Sequence, residues 1–244
     1  MRGGGYADVL PVLQVPDNKA DAVPCERLCD LVIGWSKRRM ENTDMGRDIA
    51  EDREKESPRI LRRRVRELLG SGDWEQVLME LRKISPRKAI NPLISVFYDS
   101  DTELRSKAIS VFGQVVADLA NEDMEAARVV MRRLMWTLND ESGGIGWGAP
   151  EAMAEAMACH PRLAEEYVHI LLSYIREDGN FLEYEPLRRG ALWGIGRLAQ
   201  VYPEMLIELD AVEYIRPYLE ADDPSSRSLS AQALRMLGME RPVF

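Results

Sequence analysis

The sequence predicts an all-α fold, an α–α superhelix built from about five helical hairpins. Three observations predict it. First, Arg105, Gly146, Arg188 and Arg227 stand 41, 42 and 39 residues apart, and each opens the same short pattern. Three residues on come Ala108, Ala149, Ala191 and Ser230, and four on come Ile109, Pro150, Leu192 and Ala231. Six on come Val111, Ala152, Gly194 and Ala233, and seven on come Phe112, Met153, Ile195 and Leu234. A period near 40 with two helices per unit marks stacked helical repeats. Second, apolar residues recur at helical spacing from Ser57 onward. Third, the segments are bounded by helix start and stop residues.

Taken in order, residues 1–23 hold three glycines and two prolines without a sustained period, and predict an extended or disordered arm. Within it Val9, Leu10, Val12, Leu13 and Val15 form a short apolar set able to dock on a groove of the body. Pro24 suits a first helical turn, and Leu28, Leu31, Val32 and Trp35 give an apolar stripe, so a helix is expected over about 24–40. Residues 41–57 are nearly all polar, as in a solvated linker or an exposed helix. The N-terminal arm is therefore taken as 1–56 and the helical body as 57–244.

Ser57-Pro58 starts the body. Ile60, Leu61, Val65, Leu68 and Leu69 make one face, and Gly70 stops it. Asp73 caps a second helix with Trp74, Val77, Leu78, Leu81 and Ile84 inward. This pair departs from the repeat pattern, as terminal units do where one face must meet water. The matching units follow: 86–98 with 102–119, 123–138 with a helix starting near Gly146, 161–176 with 186–201, and 203–219 with 224–239. In the 123–138 helix the apolar residues include Val130, Met131, Leu134, Met135 and Leu138, and Trp136 is expected in the core. Asp178-Gly179 supplies a left-handed stop, after which Phe181 and Tyr184 sit on a longer loop, exposed or folded back. Asp223 caps the last helix and Pro224 takes its first position. The small residues Ala108, Ala149, Ala191 and Ala233 let paired helices approach closely.

The 244 residues are 45% hydrophobic and 30% charged, the balance of a folded soluble chain. No apolar run is long enough to span a bilayer and no export signal opens the chain, so a cytoplasmic location and no membrane are expected. The net charge of −9 is uneven: −3 over residues 1–56, +5 over 57–98 and −11 over 99–244. An acidic body repels phosphate backbones and argues against general nucleic-acid binding.

Asp222-Asp223-Pro224, two serines, Arg227, then Ala231, Ala233 and Leu234 resemble the HEAT-like repeats of the phycobilisome-lyase-like class. Such repeats read Asp-Asp-Pro, two residues, Arg, then Ala-Ala-x-Ala-Leu-Gly. Leu104-Arg105 through Gly113 and Leu187-Arg188 through Gly196 match as well, and Asn139–Met153 is similar to uncharacterised bacterial HEAT-repeat proteins. The resemblance covers about residues 86–240 and implies a HEAT/ARM-like solenoid. Gly146 and Pro150 depart from it, so the repeat-stabilising ionic role of the arginine is absent there. Repeat architecture without a catalytic constellation points to a non-enzymatic scaffold or adaptor that binds a protein partner on its concave face. The resemblance alone implies the alternative, a lyase-like or chaperone-like accessory protein handling a tetrapyrrole. No cofactor of its own is expected.

Trp147 and Trp193 fall early on successive second helices, beside Glu151, Glu155, Arg189 and Arg197. Aromatics with charges of both signs make a binding surface, or else both tryptophans pack between units. Ser142, Gly143, Gly144 and Gly146 precede a helix whose N–H groups can meet an anion. They lack the lysine and hydroxyl of a phosphate loop, so a tight turn is the other reading. Cys25 and Cys29 lie one turn apart, but no further ligand is near to complete a metal site. His160 and His169 lack the His-Glu pairs that HEAT-repeat metal hydroxylases use, so no catalytic or metal residue is assigned. Arg59, Arg62, Arg63, Arg64 and Arg66 form a basic cluster, a solvated face or, as a weaker alternative, a nucleic-acid contact.

Overall fold

A computed structural model describes residues 57–71, 74–139 and 145–239. The arm over 1–56, with its expected helix and Cys25 and Cys29, lies outside the described residues, as do Asp73, Ser142, Gly143 and Gly144. The described residues are helices and connecting turns, with no strand among them. In order they form α1 (Pro58–Ser71), α2 (Trp74–Arg82), α3 (Pro86–Val96), α4 (Thr102–Glu122), α5 (Met124–Thr137), α6 (Ala149–Cys159) and α7 (Pro161–Ser173). Then come α8 (Glu185–Val201), α9 (Pro203–Glu208), α10 (Ala211–Ile215), a 3₁₀ turn (Arg216–Glu220) and α11 (Pro224–Met236).

Local chemistry sets the boundaries. The Asp101 carboxylate accepts from the N–H groups of Glu103 at 3.0 Å and Leu104 at 3.1 Å, capping α4. Asp123 both ends α4 and caps α5, accepting from the Ala126 N–H at 3.0 Å, so a single residue joins the two helices. Asp223 caps α11 through the Ser226 N–H at 2.7 Å. Prolines occupy the first turns of α3, α6, α7, α8, α9 and α11, where a missing N–H costs nothing.

The packing has a simple order. α4 packs on α6, α6 on α8 and α8 on α11, making a row of every second long helix. α3 and α5 lie against α4, α7 against α6 and α8, and the 3₁₀ turn against α11. One continuous apolar core joins them, from Leu61 and Val65 to Leu234 and Leu237. Ala108, Ala149, Ala191 and Ala233 are all buried within it.

Glycine fixes how closely the row is packed. A Cβ at Gly113 of α4 would lie 2.7 Å from the Glu155 backbone carbon, and one at Gly194 of α8 would lie 2.7 Å from the Ala154 Cβ. Backbone cannot swing aside as a side-chain tip can. Gly113→Val is therefore expected to lower stability by about 3 kcal/mol and the thermal midpoint by roughly 10 °C. Calorimetry showing an unchanged midpoint would mean that α4 and α6 part without cost.

Three expectations are corrected. The helix expected over 203–219 is broken into α9, α10 and the 3₁₀ turn, because Asp210 takes a left-handed φ of 55° and Pro217 withholds an N–H at the start of the turn. The helix expected near Gly146 begins at Ala149, after a left-handed Gly148 at φ 72°. Trp136 is not core but 57% exposed. The buried stripe of α5 runs through Ala127, Val130, Met131 and Leu134, and Trp136 lies two residues beyond Leu134, on the opposite side of the helix.

Candidate functional site

The sequence-predicted set runs from Trp147, just before α6, through the first two turns of α6 and along α8 from Arg189 to Arg197, and the structure brings most of it onto one face. The Glu151 carboxylate lies over Gly190: a Cβ there would stand 2.6 Å from Oε2, so glycine is what lets the carboxylate in. One turn further, Arg197 Nε donates to Glu155 Oε1 at 3.2 Å, and Arg197 Nη1 donates to Gln200 Oε1 at 3.3 Å. The Glu155–Arg197 pair is buried from both sides, at 9% and 7% side-chain exposure. Arg189 reaches Asp223 at 3.8 Å and Glu185 at 4.0 Å. Trp147, half-buried, meets the exposed ring of Tyr184 edge to face, with centroids 5.7 Å apart.

This corrects the picture of an open surface. Trp193, Glu155 and Arg197 are buried, so they are not presented to a partner as the helices stand. The reason is the close α6–α8 approach that Gly190 and Gly194 permit. What remains accessible at this end is Trp147 with Tyr184, beside exposed Ile145.

The face is also chemically incomplete. Glu151 Oε2, Trp193 Nε1 and Arg189 Nε are buried and have no hydrogen-bond partner. Native proteins satisfy nearly all such groups, so three of them within three turns of two adjacent helices need a reason. Loss of hydration pushes the Glu151 carboxyl up to about 7, against weaker opposing pulls from its own backbone and the Arg105 charge. His160 caps α7 from the far end of α6. Desolvation and the nearby Arg162 hold its imidazole below the usual range, and its buried Nδ1 has no partner.

Two of the repeat arginines, Arg188 and Arg227, do something the sequence does not disclose. Arg188 Nη1 donates to the carbonyls of Leu182 at 2.7 Å and Glu183 at 3.1 Å. Arg227 Nη1 donates to those of Ala221 at 2.6 Å and Asp222 at 2.8 Å. Each ties its helix to carbonyls six and five residues upstream, so the role is main-chain anchoring rather than an ion pair. At Gly146 a Cβ would meet the Thr137 carbonyl oxygen at 2.7 Å and Leu138 Cδ2 at 3.0 Å. No side chain fits there, which accounts for glycine standing in the arginine's place.

Two further features were missed. A cleft of about 610 Å³ opens between the 175–188 segment and the 213–226 segment. A smaller one of about 360 Å³ lies between the ends of α5 and α7 and the 180–184 loop. Both are lined by residues far apart in the chain, so no local pattern announces them. The basic helix α1 is exposed at Arg59, Arg62, Arg63 and Arg66, of which Arg66 donates to Asp99 at 2.8 Å. Among the described residues, no three His, Cys, Asp or Glu side chains are grouped to hold a metal, and no helix is long and apolar enough to cross a membrane.

No family model matches the chain. An uncharacterized protein of Archaeoglobus fulgidus is 32% identical to it over 165 residues, a stretch covering 66% of this chain and 78% of the archaeal one. At that identity and coverage, this chain belongs to the family of the Archaeoglobus fulgidus protein.

Proposed function

We propose that the chain is a HEAT-like solenoid acting as a non-enzymatic interaction scaffold, and that the α6–α8 face holds a segment of a protein partner. The row α4–α6–α8–α11, with the intervening helices on its flanks, supports the solenoid reading. So do the matching anchors made by Arg188 and Arg227. The binding role rests on one observation: the Trp147–Tyr184 edge stays accessible beside exposed Ile145, while the side chains behind it are sealed between α6 and α8. That aromatic edge supplies the apolar anchor a partner segment needs.

The test compares proteins captured by the wild-type chain and by Trp147→Ala/Tyr184→Ala. Both rings are accessible, so the double variant should fold. A partner held by the wild type and lost by the variant is the expected result. Capture of the same proteins in equal amounts by both would sink the reading.

A further inference from the structure

The 610 Å³ cleft lies between the loop after α7, the first turn of α8, and the segment from α10 through the 3₁₀ turn to the start of α11. Its walls already hold two guanidinium groups of this chain. Arg176 lies over the Tyr214 ring, 4.3 Å from its centroid, and is gripped by both oxygens of Asp178 at 3.0 and 2.7 Å. Arg188 lies over the Phe181 ring at 4.9 Å. Tyr218 completes the aromatic lining, its hydroxyl donating to the Ile175 carbonyl at 2.7 Å. Against those two arginines the lining sets six carboxylates: Glu177, Asp178, Glu185, Glu213, Asp222 and Asp223. Four of them are committed, Asp178 to Arg176, Glu185 and Asp223 to Arg189, and Glu213 to Arg216. Glu177 and Asp222 are exposed and have no ion pair among the described residues, one on each wall.

We propose that this cleft is a docking site for an arginine-bearing segment of another protein, independent of the α6–α8 face. The excess of carboxylate attracts cations generally. Arg176 and Arg188 already cover the rings of Tyr214 and Phe181, so the lining ring left for an incoming arginine is Tyr218, on which a flat guanidinium stacks while its edge forks onto a carboxylate, the arrangement Arg176 makes with Tyr214 and Asp178. Glu177 and Asp222 are the carboxylates left to receive it.

Fluorescence anisotropy at low salt tests this with the full chain and a labelled, capped heptapeptide carrying three arginines, beside a counterpart carrying three glutamines. Saturable binding of the arginine peptide alone is expected. Glu177→Gln/Asp222→Asn should weaken it roughly tenfold, since two solvent-facing charge pairs are removed. Glu67→Gln/Glu103→Gln changes the net charge equally on exposed carboxylates of α1 and α4 and should leave affinity unchanged. Trp147→Ala should also bind as wild type, which separates this site from the α6–α8 face. Equal loss in the two carboxylate pairs, equal binding of the glutamine peptide, or no saturation at all would overturn the proposal. So would sedimentation showing self-association abolished by Arg59→Ala/Arg62→Ala, because the cleft would then belong to a second copy's α1.

Discussion

Glu155→Ala is expected to destabilise the fold by about 3–5 kcal/mol, because it leaves the Arg197 guanidinium buried without its counter-charge. The same physics makes a second, less obvious demand. Bringing both charges in from water costs several kcal/mol per ion, which their mutual attraction roughly offsets, so replacing both with apolar residues should be nearly neutral. Glu155→Met/Arg197→Met is therefore expected within about 1.5 kcal/mol of wild type, far from the sum of the single changes. Urea unfolding of the wild type, both single variants and the double variant closes the cycle. A cost below about 1 kcal/mol for Glu155→Ala would show that water reaches the pair and that its burial is only apparent.

Glu151 should make stability fall as pH rises from about 4.5 to about 7. Burial holds its carboxyl at about 7 in the folded chain, against an ordinary value of 4.5. Below 4.5 the group is protonated in both states and costs nothing. Between 4.5 and 7 the unfolded chain has released the proton and the folded chain still holds it, so stability declines; above 7 the decline is complete. A shift of that size corresponds to about 3 kcal/mol. Other carboxylates act the other way: arginines hold Asp99, Asp178 and Glu166 below their ordinary range, and their contribution is lost as pH falls. The difference between wild type and Glu151→Gln isolates the one group. The glutamine variant should match wild type near pH 4.5 and exceed it by about 3 kcal/mol at pH 8. A difference that does not change with pH would mean that Glu151 keeps its water.

How much of this was legible in the sequence varied with the kind of feature. The cap of the last helix was, because an N-cap is a local device: Asp223 bonds the Ser226 N–H three residues on. The buried faces of α4, α6 and α8 were legible for the same reason, their period being that of the helix itself. The fate of Trp136 was misjudged because an apolar residue among apolar neighbours was read by composition rather than by angle. The break at Asp210 escaped because nothing in Leu209-Asp210-Ala211 demands a left-handed turn.

The candidate site was legible only as a list. That Trp147, Glu151, Glu155, Arg189, Trp193 and Arg197 share one region follows from helical spacing. Which of them meet water does not. The sequence by itself determined that this is a helical chain, where its last helix is capped, and which small residues allow its helices to touch. Only the tertiary structure decided that Gly190 admits the Glu151 carboxylate, that Glu155 and Arg197 are sealed against each other, and that Arg188 and Arg227 grip main chain rather than acid. It also decided that Tyr214, Arg176, Glu177 and Asp222 line one cleft. The physical reason is range. Capping and periodicity act within one or two turns and leave a local imprint, whereas burial and electrostatic pairing depend on how closely separate helices approach.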